Sequence, residues 1–378
     1  MYIPRALNPL KILEKKSCFL LGPRQTGKST LIRNSLPKAK TYNLLDSNTY
    51  ISLQKNPALI RQELTKDDTI VVIDEIQRIP DLLNEVHLMI EEHQITFLLT
   101  GSSARRLKTK GVNLLAGRAR SRHLHPFIQS ELKEQFELQK ALEVGLLPSV
   151  YFSDNPREDL RDYVNTYLEF EIAAEAVVRN LGVFSRFLEV AALSNGQMLN
   201  YSQIASDTEV TAPTIREYFQ ILEDTLIGQR LEPFKRTKKR KAIVTPKFYF
   251  FDTGVVHHLV GRQSLAPKTK EFGDAFETYI FHELQTYCDY NFGPNSSLHY
   301  WRSTSDFEVD FILSEKIAIE VKAKENVSDR DLKGLKALRE EGLCERYVVM
   351  SLDKVPRIID GIEILPYTKF LDELWTHH

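Results

Sequence analysis

GPRQTGKS, Gly22 to Ser29, follows the apolar run SCFLL and opens a helix-prone stretch, KSTLIRNSL. It fits the phosphate-loop pattern G-x-x-x-x-G-K-[ST] in the strand-to-helix setting that the pattern requires. Gly22 and Gly27 let successive backbone N–H groups turn toward phosphate oxygens, with Pro23, Arg24, Gln25 and Thr26 forming the turn and Thr30 following it. Lys28 reaches the β- and γ-phosphates, and Ser29 offers a hydroxyl to Mg²⁺. ATP and Mg²⁺ are therefore the expected cofactors.

Working outward, short apolar strands alternate with helical stretches from Ser17 to about Pro126: SCFLL, TYNLL, TIVVI and ITFLL, separated by helices. This alternation predicts βαβ units around a parallel sheet buried on both faces. TIVVIDEIQ brings Asp74 and Glu75 to the carboxyl end of a strand, where α/β sheets bind ligands. Asp74 is expected in the Mg²⁺ shell and Glu75 as the residue that polarises the attacking water. The extra strand TYNLL between the two motifs argues for the ATPase branch with an inserted strand and a catalytic glutamate. In ITFLLTGSS, Ser102, with Thr100 and Ser103 beside it, is placed to sense the γ-phosphate; capping of the next helix accounts for these residues equally well. LLAGRARSRHLHPF offers Arg118, Arg120 and Arg122. Arg118 is the candidate arginine finger on a neighbouring subunit, which would tie hydrolysis to homo-oligomerisation through this domain.

The 378 residues suffice for two or three domains. With 42% hydrophobic and 27% charged residues and a net charge of -1, the chain is not a bulk polybasic nucleic-acid binder, although local basic patches remain open to it. Cys18, Cys288 and Cys344 are scattered, without zinc or disulfide spacing, as in a reducing compartment. No signal-like or membrane-spanning apolar run occurs, so a cytoplasmic location without a membrane partner is expected.

From about Gln129 the pattern becomes helical, with Phe184, Phe187, Leu188, Ala191 and Ala192 on one helix face. Two helices near 202–206 and 212–226 have helix-turn-helix spacing, and KFYFFD is a candidate last strand of a wing. The second helix sets Arg216 against Glu217, Glu223 and Asp224, a poor match to phosphates. KRTKKRK, Lys235 to Lys241, falls where a wing hairpin would lie, either as a solvated turn or as a phosphate contact. A polar, turn-rich stretch at 261–270 marks a boundary. The expected domains are 1–128, a P-loop ATPase domain; 129–265, helical with a winged helix; and 266–378, a small α/β domain.

That last segment contains DFEVDFILSEKIAIEVKAK, Asp306 to Lys324. Read as two strands joined by a turn, it sets Glu308, Asp310, Ala318, Glu320 and Lys322 on one face, opposite an apolar one.

GPRQTGKST, VVIDEIQ, LLTGSSARRL, LAGRARSRHLHPF, TIREYFQILEDTLIG, PKFYFFDTG and FGDAFETYIFHEL together resemble the AAA-type ATPases of bacteria and archaea that carry a C-terminal domain of uncharacterised function. The resemblance implies an α/β chain with an AAA+ fold, then a winged helix, then a restriction-endonuclease-like domain. Asp310, nine residues, then Glu320-Val321-Lys322 resembles the PD-(D/E)XK nuclease signature. Asp310 and Glu320 would share a divalent cation, Lys322 would act on the water, and Glu277 on the preceding helix would complete the metal shell, with Glu308 as a spare carboxylate. Valine stands before Asp310 where the signature has proline, and the helix DLKGLKALREEG lacks the Gln-and-Tyr pattern of a helicase-associated branch. The reading is an ATPase joined to a Mg²⁺-dependent nuclease-like domain acting on nucleic acid, DNA more than RNA. The alternative is an ATPase switch or remodelling protein whose nuclease-like domain only binds nucleic acid or protein.

Overall fold

Five strands form the sheet of the first unit: β1 (Ser17–Leu21), β2 (Lys40–Asn43), β3 (Ile70–Asp74), β4 (Thr96–Gly101) and β5 (Ala119–His123). In a computed structural model of the chain, which describes residues 2–105, 107, 115–172, 180–294 and 298–376, these strands are all parallel and ordered β2-β3-β4-β1-β5. Arg106 and Leu114, quoted above within motifs, lie outside those residues. β1 is buried at every position and β3 at all but its first, as expected of central parallel strands covered on both faces. Phe19, Leu21, Val71, Ile73, Phe97 and Leu99 join Val86 and Met89 of the helix Leu82–His93 in one core.

β5 is a strand that the apolar pattern of the sequence does not mark. ARSRH is a strand, half-buried throughout, at the free edge beside β1. An edge strand has one neighbour and needs no continuous apolar run, so apolar periodicity passes over it.

The chain divides into two compact units: residues 1–126 with 224–227, and 127–223 with 228–378. The sequence suggested three segments; the second and third lie in one unit. There, the helix Leu181–Leu193 buries the five residues read from its periodicity. The helices Tyr201–Thr208 and Ala212–Asp224 follow, then β6 (Gly228–Leu231) paired antiparallel with β7 (Lys247–Phe250). Backbone bonds sew this part to the next: Phe234 N–H donates to Tyr300 O at 2.7 Å and Ile243 N–H to Arg302 O at 2.8 Å.

The helix Lys270–Asn291, about 33 Å long at 1.5 Å per residue, leads into a six-stranded mixed sheet. Its strands are β8 (Leu298–Arg302), β9 (Glu308–Leu313), β10 (Ile317–Lys322), β11 (Arg346–Ser351), β12 (Arg357–Ile359) and β13 (Ile362–Pro366), ordered β12-β13-β11-β10-β9-β8. β9 and β10 form the expected hairpin, with Ile317 opposite Leu313 and Ala318 opposite Ile312. Continued along the strands, that register sets Asp310 across from Glu320. The crossover helix Lys333–Arg339 packs so closely on β9 that a Cβ at Gly334 would lie 1.7 Å from the Glu308 carbonyl oxygen. Glycine alone permits this approach, which holds the acidic end of β9 in place. Among the described residues, no helix is long and apolar enough to cross a membrane.

Candidate functional site

Two clusters of functional side chains are built, one in each unit. In the first, the chain leaves β1 at Gly22, where a Cβ would lie 2.4 Å from Leu124 O. The loop then turns through Gly27 at φ 92°, a left-handed conformation that suits glycine, into the helix Lys28–Ser35. Arg24 and Gln25 are exposed at the tip and Thr26 is buried, its hydroxyl donating to Pro23 O at 2.9 Å. Arg5, which motif reading does not mark, braces the loop from behind: its guanidinium donates to Thr26 O at 2.7 Å and to His125 O at 2.6 Å.

Lys28 is buried, and its ammonium donates to Gly22 O at 2.6 Å and Pro23 O at 2.8 Å. Burial pushes its pKa down to about 8 against the opposing pull of Glu75 and Asp74. Ser29 Oγ donates to Asp74 Oδ2 at 3.2 Å, so the hydroxyl and carboxylate expected to share Mg²⁺ are neighbours. Thr30 is exposed at the start of the helix. Thr100 Oγ1 donates to the other Asp74 oxygen and also accepts the Glu75 N–H at 3.3 Å. Glu75, at φ 62°, turns its carboxylate to Ser102 Oγ (3.2 Å) and to the amide of Gln77. Gln77 Nε2 donates to Ser102 Oγ as well, at 3.2 Å. Sequence reading missed Gln77, although the IQ following Asp74-Glu75 was its signal. Thr100 and Ser102 thus touch the two acids directly, a role that helix capping does not describe.

Arg118 lies elsewhere. Ala119 pairs with Ser17, so Arg118 sits at the amino end of β1, across the sheet from the phosphate loop, and its guanidinium is paired with Glu91. It does not reach the nucleotide site of its own chain.

In the second unit, β7, the helix Lys270–Asn291, β9 and β10 gather Lys247, Tyr249, Glu277, Glu308, Asp310, Glu320 and Lys322. Asp310 is buried, and one of its oxygens accepts the Val321 N–H at 2.8 Å. Burial first, then Glu277, raises its pKa above the usual carboxylate range. Glu320, 8% exposed, is pushed up to about 8 by burial and by Asp310, although Lys322 pulls the other way. Lys322 Nζ meets Glu320 Oε1 at 2.5 Å. Burial alone would lower the lysine's pKa, but Glu320 and Asp310 outweigh it and hold the ammonium charged. Glu320 Oε2 is buried without a hydrogen-bond partner.

Glu277, a charged neighbour of Asp310, is also bonded to two residues of β7. Its Oε1 accepts from Tyr249 OH at 2.6 Å and from Lys247 Nζ at 3.4 Å, while Lys247 also meets Glu308 Oε1 at 2.7 Å. Among the described residues, Glu277, Asp310 and Glu320 do not bring ligand oxygens within 4.8 Å of one another as a set of three. The two buried acids suited to one hard cation are Asp310 and Glu320, with an unshared oxygen on Glu320 as the free ligand atom. Lys247 was not foreseen: its signal, a lysine heading an apolar strand, is common.

Residues 14–133 form an AAA-type P-loop ATPase domain: they match the family model of the AAA domain, and the five-stranded sheet and phosphate loop agree. Residues 135–266 and 272–370 match two domains of unknown function, DUF8612 and DUF4143. The chain is 29% identical over 302 residues to uncharacterized proteins of Mycobacterium bovis (Mb2031c) and Mycobacterium tuberculosis (Rv2008c), across 77% of this chain and 66% of theirs. Among solved structures, the Aeropyrum pernix ORC1 protein in complex with DNA is similar at a TM-score of 0.24 and 12% identity, covering 65% of this chain and 86% of that one. A signal transduction ATPase with numerous domains, carrying a tetratricopeptide repeat sensor, from Pyrococcus horikoshii gives a TM-score of 0.24 and 15% identity, covering 74% and 48%.

Proposed function

We propose that the first unit binds and hydrolyses ATP with Mg²⁺, and that the acidic cluster of the second is a Mg²⁺-dependent phosphodiesterase site for nucleic acid, DNA in preference to RNA. For the first half, Lys28 supplies charge to the β- and γ-phosphates and Ser29 with Asp74 supplies oxygens for the ion. Glu75 orients the water, and Ser102 and Gln77 fix the Glu75 carboxylate. Arg118 acts across a subunit interface of a homo-oligomer, since its own sheet separates it from the loop.

The observation that carries the second half is the unpartnered, buried Glu320 Oε2 beside Asp310. Leaving a carboxylate oxygen buried without a donor costs about 1–3 kcal/mol or more, which a shared cation offsets. A bound Mg²⁺ would neutralise charge on a scissile phosphate and acidify a water. Lys322, held protonated by its neighbours, serves as donor and positive charge and not as the base. The restriction-endonuclease-like fold and the winged helix belong to this proposal, supported by the β9–β10 hairpin, the Glu277 helix and the helix pair before β6.

Lys247 favours a second reading. With Lys322 it already balances much of the acidic charge, as in a domain that binds nucleic acid or protein without cutting it, alongside an ATPase switch. The deciding experiment incubates the purified chain with Mg²⁺ or Mn²⁺ and a panel of DNA and RNA substrates. Cleavage lost in Asp310→Ala, Glu320→Ala and Lys322→Ala, with ATPase activity kept, supports the first reading. Equal inactivity of wild type and the triple variant leaves the second.

A further inference from the structure

The run Lys235–Lys241, KRTKKRK, packs six cations into seven residues between β6 and β7. It is not a loose wing. Glu341, whose side chain is 1% exposed, accepts three successive backbone N–H groups: Lys238 at 2.7 Å, Lys239 at 2.9 Å and Arg240 at 3.0 Å. Arg240 lies over the Phe307 ring, donates to Ala337 O at 3.0 Å and pairs with Glu340 at 2.6 Å. Arg236 pairs with Glu315, and Thr304 N–H donates to Lys241 O at 3.0 Å.

The two arginines and the backbone are thus spent on anchoring. Lys235, Lys238, Lys239 and Lys241 remain exposed, and among the described residues no carboxylate pairs with their ammonium groups. Fixing four like charges on one ordered loop costs mutual repulsion, which a polyanion would relieve. Phe307, beneath Arg240, precedes Asp310 by three residues, about 10 Å along an extended strand. The helix Ala212–Asp224 is a weaker candidate: its Arg216 is held over the Tyr201 ring, and Arg230, just beyond it, pairs with Glu223.

We propose that the anchored loop Lys235–Lys241 is a phosphodiester-backbone contact, which holds a nucleic-acid strand alongside the Asp310–Glu320 site. The destination of the strand rests on the reading above; the binding does not. The test is fluorescence anisotropy with labelled single-stranded and duplex DNA, full chain, in EDTA so that no divalent ion enters. The variant Lys235→Ser/Lys238→Ser/Lys239→Ser/Lys241→Ser is expected to lose at least ~10-fold in affinity on duplex, and the slope of log K against log salt should flatten by about 0.9 per lysine. The four Lys→Arg exchanges should keep both. Wild-type affinity and slope in the serine variant overturn the proposal. So does intact DNA binding with lost capture of poly-L-glutamate, which would assign the loop to an acidic polypeptide. Normal DNA binding by the wild-type loop with no cleavage under Mn²⁺ sinks only the phosphodiesterase reading.

Discussion

Lys247, the first residue of β7, sets its ammonium 2.7 Å from the Glu308 carboxylate on β9. One buried lysine thus joins a segment matching one family of unknown function to the acidic strand of another. Burial would strip its charge, but Glu277 and the neighbouring acids hold its pKa well above the ordinary lysine value. It acts as a resident cation at the Glu277–Glu308 side of the cluster.

Replacing it should separate stability from metal affinity. Lys247→Met removes one partner each from Glu277, which keeps the Tyr249 hydroxyl, and Glu308, which keeps Arg302 at 3.3 Å, so the metal-free protein should lose about 3 kcal/mol or less. The same change removes a repelling charge, and Mn²⁺ should bind about tenfold more tightly and restore the melting temperature. Calorimetric titration and thermal unfolding read both effects. Unchanged Mn²⁺ affinity would refute the resident-cation role.

Gly22→Ala and Lys28→Ala should both abolish ATP binding. The added methyl meets the backbone oxygen of Leu124 at 2.4 Å, and backbone cannot swing away as a flexible side chain can. Binding of a fluorescent ATP analogue is the measurement, and near-normal affinity in the glycine variant would show that the loop is more plastic than its packing indicates.

Glu75→Gln should bind ATP and hydrolyse it at least about a hundredfold more slowly, the scale of losing a group that positions the water. Ser102→Ala, which removes one of the Glu75 contacts, should lower kcat by less and leave nucleotide affinity near wild type. Normal turnover in Glu75→Gln would remove the assignment.

A pH dependence follows from Glu283, buried in the helix Lys270–Asn291, whose Oε1 accepts from Gln129 N–H at 2.7 Å and Tyr279 OH at 3.1 Å. Burial, partly opposed by these bonds, raises its pKa to about 8, well above the ordinary glutamate value. The protonated acid therefore favours the folded state: its contribution is complete below pH 4.5 and is lost as pH rises through about 8. Within that window each pH unit should remove up to ~1.4 kcal/mol. Glu283→Gln should flatten this slope in denaturant titrations taken from acid to mildly alkaline pH; an unchanged slope would mean that Glu283 is ionised in the fold.

The amino-acid sequence by itself determined the phosphate loop, the acidic end of β3 at Asp74 and Glu75, the parallel strands of apolar residues and the β9–β10 hairpin, because each depends on local spacing, on apolar runs or on period-two alternation. It did not reveal β5, an edge strand with no apolar run, the reach of Gln77 to Ser102, or Arg5, whose partners Thr26 and His125 come from other segments. Only the tertiary structure decided that Lys247 and Tyr249 hold the Glu277 carboxylate, that Arg118 lies across the sheet from the phosphate loop, and that Glu341 anchors the basic run. The reason is the same in each case. These charges are set by neighbours tens of residues away, and electrostatic partners are chosen by distance in space, which no local pattern encodes.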